Sequence, residues 1–433
     1  MIIPTRRLLA LALVGVIPVA ISGSVQLAIF VDLMWIGAVV VAALIDGLLT
    51  PNPDRLTWSR THDAKLSLGV ANVINLSMRN ESGRRVIFDM RDATPPLLVP
   101  AGNRRHSSCE PLDRWSHHYR VWPVHRGEYE LGPLTVRYRG PLGLASRQRS
   151  WNRPDQATVY PNLLAVRSYE SLARRGQLEE LGLRATRRRG EGTEFDQLRD
   201  YTPDDEFRRI NWKATARSGR MIATDYTTER NQNVILVLDG GRVMSTPVAV
   251  DEAGGNSAPM PLPALTRFDY AVNAALLLSF VSQQAGDRVG LLSFASGITR
   301  FLPPRSGRRG FLAVTEGLHD LEPEALEPDY ALGLGFLATR QSQRSLIILF
   351  TDIVDTEASS ALVAPVLQLA RRHLCLTVTL RDPDLTSMAR VIPEDTDEVY
   401  RRAMAREVLD DRRQALQQLR KRGVLTLDVG ADA

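Results

Sequence analysis

Hydrophobic residues divide the chain into three regions of different periodicity. Residues 8–49 form an almost uncharged apolar run, long enough for two short membrane-spanning helices over 6–22 and 25–49. Residues 54–162 carry short runs of alternating apolar and polar positions separated by Gly and Pro turns, which indicates a small β-sandwich. From residue 233 onward, continuous apolar strands alternate with helical stretches, a pattern typical of a parallel sheet covered on both faces.

We therefore predict a protein of the α/β class with four segments. They are a transmembrane hairpin over 1–52, a β-sandwich-like domain over 53–162, a connector over 163–232 and an α/β domain over 233–433. In the last segment the predicted strands are 234–238, 289–294, 346–350, 375–380 and 424–429, and the predicted helices are 268–284, 309–319, 330–339, 362–372 and 396–422.

Charges beside the apolar run predict its orientation in a membrane. Arg6 and Arg7 precede the run and Arg55 and Arg60 follow it, so the positive-inside rule places both flanks in the cytoplasm. We expect a two-helix anchor in the inner membrane and a cytoplasmic soluble body. The alternative is a single tilted span with the body outside. Asp32, inside the second helix, is expected near an interface or against the partner helix.

Composition adds few constraints. The 433 residues are 44% hydrophobic and 24% charged, as in ordinary globular proteins of two or three domains. The formal net charge of +5 comes almost wholly from arginine, which pairs readily with carboxylates and phosphates. Cys109 and Cys375 support neither a disulfide framework nor a cysteine metal site. The basic run at 184–189 is short and lacks aromatic residues, so we predict no nucleic-acid partner.

The densest mixture of acids, arginines and aromatics lies over residues 187–232. Within it, Phe195, Leu198 and Tyr201 recur at three-residue steps, which predicts a single apolar face. We interpret the stretch as a joint that fixes the sandwich to the α/β domain. The alternative interpretation is a partner-docking surface, and the two are compatible because a rigid joint presents a surface well.

Acids and arginines in the same stretch predict a charge network. We expect Asp205 to pair with Arg208 or Arg209, because buried networks of this kind fix geometry. Ile210 and Trp212 alternate as in a short strand, and we expect Trp212 to be buried.

This stretch, with VILVLD after it, resembles the signature of the domain of unknown function 58 family. The shared pattern is close to Glu-Phe, Leu-Arg-x-Tyr, Arg-x-Ile-x-Trp-Lys and Ala-Arg. Asp204 stands where the family usually has glycine, and Gly140 stands where an upstream family block usually has aspartate. The matching positions that we assign to an interdomain or partner-binding signature are Glu194, Phe195, Leu198, Arg199, Tyr201, Asp205, Arg209, Trp212, Lys213 and Arg217.

The resemblance implies a von Willebrand factor A-like doubly wound sheet and a MoxR-type AAA+ ATPase as partner. On this basis we expect a membrane-anchored, non-enzymatic adaptor that works with such an ATPase in the assembly or maturation of protein complexes. The chain also lacks a nucleophile elbow, a phosphate-binding P-loop and a His-Glu zinc motif, which argues against an enzyme.

The metal site of von Willebrand A domains uses an Asp-x-Ser-x-Ser turn, a loop threonine and a later aspartate. Here the turn reads DGGRV over 239–243, so both serines are lost. We predict no cofactor, with Arg242 paired to an aspartate. The alternative is a metal-dependent hydrolase in which Asp239, Asp329 and Asp352 converge at the carboxyl end of the sheet and hold Mg²⁺.

Overall fold

A computed structural model describes residues 2–15, 17, 25–152, 155–174, 194–203, 205–227, 231–248, 264–353 and 356–430. The chain divides into a first compact unit, Met1–Tyr160, and a second unit that begins at Pro161. The finer division into four segments stays a prediction. Each unit is described by itself.

Strands dominate the first unit. They are β1 (Ile2–Pro4), β2 (Leu56–His62), β3 (Lys65–Ser67), β4 (Asn72–Asn80), β5 (Val86–Asp92), β6 (Leu98–Ala101), β7 (Arg104–Cys109), β8 (Arg114–Pro123), β9 (Gly127–Leu131), β10 (Leu134–Arg139), β11 (Ala145–Trp151) and β12 (Asp155–Tyr160). Their orders are β1-β11-β10-β5-β7, β2-β4-β8-β6 and β3-β12-β9. Every second residue of β4 is buried, as its alternating sequence predicts.

The two larger sheets of the first unit face each other across a buried core. Trp58 of β2 donates its Nε1–H to the hydroxyl of Tyr138 in β10 at 3.0 Å, and its ring meets Phe88 of β5 edge-on at 5.5 Å. Asp92 of β5, which is fully buried, accepts a 2.7 Å hydrogen bond from the hydroxyl of Tyr119 in β8. These contacts between sheets are those that a β-sandwich requires.

Two helices, α1 (Arg6–Val14) and α2 (Val25–Leu49), lie near the amino terminus. In the described part of the chain, one helix is long and apolar enough to cross a membrane, with Ile29–Arg55 as its candidate span. Much of its apolar surface is exposed, as at Leu33 and Leu48. Residues 16 and 18–24 lie outside the described residues, so the two-helix hairpin stays a prediction.

Asp32, the acid inside the apolar run, faces α1. Its Oδ1 would lie 2.8 Å from a Cβ placed on Gly15, the residue that ends α1. Nearby, Trp35 donates its Nε1–H to the carbonyl oxygen of Leu11 at 2.9 Å. Asp32 therefore occupies one of its two expected positions, against the neighbouring helix.

Asp46, in the last turn of α2, is fully buried against the loop between β10 and β11. Its carboxylate accepts hydrogen bonds from the backbone N–H groups of Leu142, Leu144 and Ala145 at 2.7, 2.7 and 2.8 Å. A Cβ on Gly140 would overlap this carboxylate. Gly140 thus leaves the space that Asp46 fills, and the end of α2 is fixed to the sandwich.

The start of α1 is attached to the same loop. Thr5, the N-cap of α1, donates its hydroxyl to the carbonyl oxygen of Gly143 at 2.6 Å, and its backbone N–H bonds Leu144 O at 3.1 Å. Just before it, β1 pairs antiparallel with β11. The ends of both helices therefore meet at one loop of the sandwich.

The second unit alternates helices and strands. Its elements are α3 (Leu163–Arg174), β13 (Glu194–Asp200), α4 (Trp212–Ser218), β14 (Ile222–Thr227), β15 (Asn233–Asp239), α5 (Arg267–Ala285), β16 (Arg288–Phe294), β17 (Ile298–Ser306), α6 (Gly307–His319), α7 (Tyr330–Arg340), β18 (Ser345–Phe350), α8 (Thr356–Ala370), β19 (Leu374–Leu380), α9 (Pro383–Arg390), α10 (Thr396–Lys421) and β20 (Leu425–Val429). The main sheet has the order β17-β16-β15-β18-β19-β20, and β13 pairs with β14 separately.

Helices cover both faces of the main sheet. Alternate residues of β15 enter two different cores, one containing Leu236 and residues of α5 and α6, the other containing Val237 and residues of α7, α8 and α10. Strand β17 departs from the predicted parallel sheet, because it runs antiparallel to β16 at the edge. Pro303 and Pro304 lack the N–H that a central strand would need, which restricts β17 to that position.

Candidate functional site

The carboxyl end of the main sheet holds a buried polar cluster around Asp239. The residue ends β15, while Thr351 directly follows β18, which pairs beside it. Asp239 Oδ2 accepts hydrogen bonds from the hydroxyls of Tyr330 at 2.8 Å and Thr351 at 2.6 Å. Its Oδ1 accepts the backbone N–H of Gly241 at 2.8 Å. Both carboxylate oxygens are therefore engaged by the protein itself.

Burial controls the protonation of this cluster. It raises the pKa of Asp239, and the hydrogen bonds from Thr351, Gly241 and Tyr330 oppose that rise without overcoming it. Burial also raises the pKa of Tyr330 well above its usual value. The phenol therefore stays a hydrogen-bond donor at neutral pH.

Asp352, the next residue along, belongs to a separate ion-pair network. Its carboxylate pairs with Arg267 of α5 and with Arg412 of α10. Arg267 also pairs with Asp382 at 2.5 Å, and Arg412 with Asp428 at 2.8 Å. Two buried arginines thus hold Asp352 away from the arrangement with Asp239 that the alternative, a metal-dependent hydrolase, would require.

The other two residues predicted at this edge also have different roles. Asp329 is exposed and caps α7 by accepting the backbone N–H of Leu332 at 2.9 Å. Arg242 pairs at 2.6 Å with Glu327 rather than with an aspartate, so that prediction is wrong. Arg242 meets Glu327 because the loop before α7, which contains Glu327, lies beside the turn after β15, which contains Arg242.

The residues at this edge do not fit Mg²⁺ in the manner that the resemblance implies. Gly241 and Val243 offer no side-chain oxygen, and two arginines surround Asp352. Within the described residues, no group of three His, Cys, Asp or Glu side chains could hold a metal ion. The arrangement suits a structural polar core.

Replacing Asp239 with Asn should change how stability depends on pH. A raised folded-state pKa means that the favourable contribution of Asp239 is complete below its unfolded-state pKa and is lost as pH rises through the folded-state value. The amide that replaces the carboxyl group can still accept from Gly241 and donate to a hydroxyl. We expect the melting temperature of Asp239→Asn, relative to that of the wild type at the same pH, to increase from pH 4 to pH 8. Circular dichroism would measure both melting temperatures. A constant difference across this range would contradict the raised pKa.

The second candidate site is the signature hairpin, which we define as β13, β14 and the segment between them. Arg199 of β13 forms a bidentate pair with Asp205, with Nη2–Oδ1 at 2.5 Å and Nη1–Oδ2 at 2.7 Å. Its Nε contacts Asp225 of β14 at 3.1 Å. These hydrogen bonds hold the pKa of Asp205 well below its usual range and raise that of Arg199. The network fixes the turn that leaves β13.

The pairing expected for Asp205 is therefore wrong. Arg208 instead pairs with Glu206 at 2.6 Å, and Arg209 lies 3.8 Å from the same carboxylate. Antiparallel pairing of β13 with β14 brings Arg199 and Asp225 together from positions 26 residues apart. Spacing along the sequence gave no signal for that contact.

The single apolar face expected for Phe195, Leu198 and Tyr201 stays a prediction, because the side chain of Phe195 lies outside the described residues. Phe195 and Leu198 lie in β13, whose pairing with β14 shifts register between Phe195 and Gln197, and Leu198 is 44% exposed. Tyr201 follows the strand and donates its hydroxyl to the carbonyl oxygen of Asp205 at 3.2 Å. Asp204 and the side chains of Glu194 and Phe195 lie outside the described residues.

Trp212 is exposed, contrary to expectation. Its relative exposure is 56%, and that of Phe207 is 66%. The two rings touch edge to face, with centroids 5.5 Å apart. Ile210 takes the buried place instead and bridges Ala223 of β14, after which α4 begins at Trp212. Lys213 and Arg217 of α4 are exposed as well.

The family match lies in the second unit. Residues 197–406 match the sequence model of the family described as "Protein of unknown function DUF58". The uncharacterized protein Rv1480 of Mycobacterium tuberculosis is 24% identical over 214 residues, which are 48% of this chain and 62% of that protein. YeaD of Bacillus subtilis, also uncharacterized, is 26% identical over 121 residues, or 28% of this chain and 30% of that one. The chain thus spans about three-fifths of its mycobacterial relative.

Solved structures are less similar. Proximal thread matrix protein 1 from the mussel byssus matches 47% of this chain and 42% of its own, with 11% identity and a TM-score of 0.24. A score this low assigns no fold. The family match, in contrast, begins in the signature hairpin, ends in α10 and agrees with the motif spacing in the sequence. Residues 197–406, just under half of the chain, therefore match the family described as "Protein of unknown function DUF58", which the motif spacing in the sequence also indicates.

Proposed function

We propose that this protein is a membrane-anchored, non-enzymatic interaction protein with a von Willebrand factor A-like second unit. It works with a MoxR-type AAA+ ATPase in the assembly or maturation of protein complexes. The apolar helix and its flanking arginines support an inner-membrane anchor with a cytoplasmic body. A parallel sheet with an antiparallel edge strand supports the fold assignment.

The exposed pair Phe207 and Trp212 is the observation that carries this proposal. Exposing two large aromatic side chains to water costs free energy that a binding partner would recover by covering them. Aromatic residues also contribute much of the binding energy at protein interfaces. Lys213 and Arg217 on the same short helix add positive charge nearby. The surface suits a protein partner with an apolar pocket bordered by acidic residues.

The signature hairpin holds this aromatic pair in place. Arg199 joins the turn at Asp205 to β14 at Asp225, and Asn211 caps α4 by accepting the N–H of Ala214 at 3.0 Å. A surface that is fixed before binding loses less conformational entropy on association. The family signature therefore supplies both the docking residues and their support.

Replacing Trp212 with Ala should weaken binding to the ATPase by about 30-fold, because a central aromatic anchor contributes about 2 kcal/mol or more. We would measure the dissociation constant by biolayer interferometry, with the full chain in nanodiscs and the purified MoxR-type ATPase of the same cell. Phe207→Ala should weaken binding in the same direction.

A matched control is Tyr400→Ala on α10, since Tyr400 is 74% exposed and lies outside the signature hairpin. It should bind as the wild type does, and all three variants should keep the wild-type melting temperature. Equal binding by Trp212→Ala and wild type would contradict the docking surface. Saturable Mg²⁺ binding that disappears in Asp239→Asn would favour the metal-dependent hydrolase instead.

A further inference from the structure

A basic cleft lies in the first unit, beside the start of α1. It encloses about 460 Å³ and is lined by Arg6, Arg7, Arg137 and Arg139, with Asp89 as its one acid. The side chain of Arg7 lies over the loop between β10 and β11. Its Nη1 would be 3.2 Å from a Cβ placed on Gly143 of that loop. The cleft is therefore strongly positive and lies at the helix-bearing end of the sandwich.

Most of this positive charge is not neutralised by the protein. Asp89 pairs with Arg139 at 2.6 Å and contacts His106 at 2.7 Å. Arg137 only donates to the neutral amide oxygen of Gln148, at 3.0 Å. In the part of the chain that the structure describes, Arg6, Arg7 and Arg137 form no ion pair with a carboxylate. Three guanidinium groups thus remain for an outside anion.

An apolar groove adjoins the basic cleft. It encloses about 330 Å³ between α1 and α2, is lined by residues such as Leu8, Ala12, Val40 and Ala43, and ends at Leu144. Pro4 lines both the groove and the cleft. One continuous surface therefore offers positive charge at one end and hydrocarbon at the other.

We propose that this surface binds one anionic phospholipid of the surrounding membrane. The headgroup phosphate pairs with Arg6, Arg7 and Arg137, and an acyl chain lies in the groove between α1 and α2. Thr5, the N-cap of α1, and Asp46, in the last turn of α2, both bind the loop beside the cleft, which places the cleft where the apolar helix meets the sandwich, at the depth of the headgroups. Arginine binds phosphate in a bidentate manner that suits such a site.

This inference rests on the membrane anchor of the proposed function. Its test is lipid retention by the full chain in detergent, offered equimolar phosphatidylglycerol and phosphatidylcholine and analysed by native mass spectrometry. We expect the wild type to retain phosphatidylglycerol preferentially. The double variant Arg7→Gln with Arg137→Gln should bind it roughly tenfold or more weakly, since each basic residue near a membrane surface contributes about 1 kcal/mol. Ala43→Phe, which fills the groove, should also reduce retention.

A control variant removes the same charge elsewhere in the first unit. Arg79→Gln with Arg85→Gln changes two exposed arginines outside the cleft and should retain phosphatidylglycerol as the wild type does. Free glycerophosphate, which lacks acyl chains, should not displace the lipid. Equal retention of the two lipids, equal loss in both double variants or displacement by glycerophosphate would overturn the proposal. A wild type that stays in solution without detergent would instead overturn the anchor itself.

Discussion

Asp352→Ala is expected to destabilise the second unit by about 3–5 kcal/mol, because it leaves two buried arginines without their shared partner. Asp352 has no exposed side-chain surface, and Arg267 and Arg412 are 6% and 9% exposed. Burial already lowers the pKa of Arg267, a sign that the protein solvates its charge poorly. In a unit of this size the loss corresponds to a fall in melting temperature of about 10 °C.

Helical circular dichroism at 222 nm is the suitable measurement, because α5 and α10 both belong to the second unit. The control is Asp320→Ala, whose ion pair with Arg300 is exposed and should contribute less than about 1 kcal/mol. If Asp352→Ala unfolds as the control does, then Asp382 and Asp428 alone compensate both arginines. The network would then be redundant.

Asp46→Ala is expected to have an effect of similar size in the first unit. The variant removes the acceptor of three backbone N–H groups, and each buried N–H without a partner costs about 1–3 kcal/mol. The sum predicts a loss of about 3–9 kcal/mol and detachment of α2 from the sandwich. Intrinsic fluorescence reports on this unit, since five of the six tryptophans lie within Met1–Tyr160.

A compensating variant makes the Asp46 prediction sharper. Gly140→Asp alone should destabilise the protein, because its side chain would overlap the carboxylate of Asp46 and repel it. Combined with Asp46→Ala, the new aspartate at position 140 extends into the space that the Asp46 carboxylate has left. We expect the double variant to unfold at a higher temperature than either single variant. Additive losses would show that the loop requires a carboxylate from α2.

The regular elements of the second unit followed from local pattern. Uninterrupted apolar runs such as that of β15 are typical of strands that are buried on both faces. In the helices between them, apolar residues recur every three to four positions. The predicted strands and helices of this unit are confirmed, most of them within two residues of their bounds. The spacing of the signature motif also identified the family, since side-chain identities at fixed intervals are a property of the sequence itself.

Tertiary structure alone decided which charged groups meet. Arg199 pairs with Asp205 and Asp225, and Arg242 pairs with Glu327. Asp46 accepts hydrogen bonds from a loop nearly a hundred residues away. Periodicity reports the conformation of a few neighbouring residues, whereas an ion pair depends on where strand pairing and helix packing place distant side chains. For the same reason Ile210, which bridges β14, is buried while Trp212 is left on the surface. The sequence thus determined the elements and the family, and the tertiary structure decided the contacts that support the proposed docking surface and lipid site.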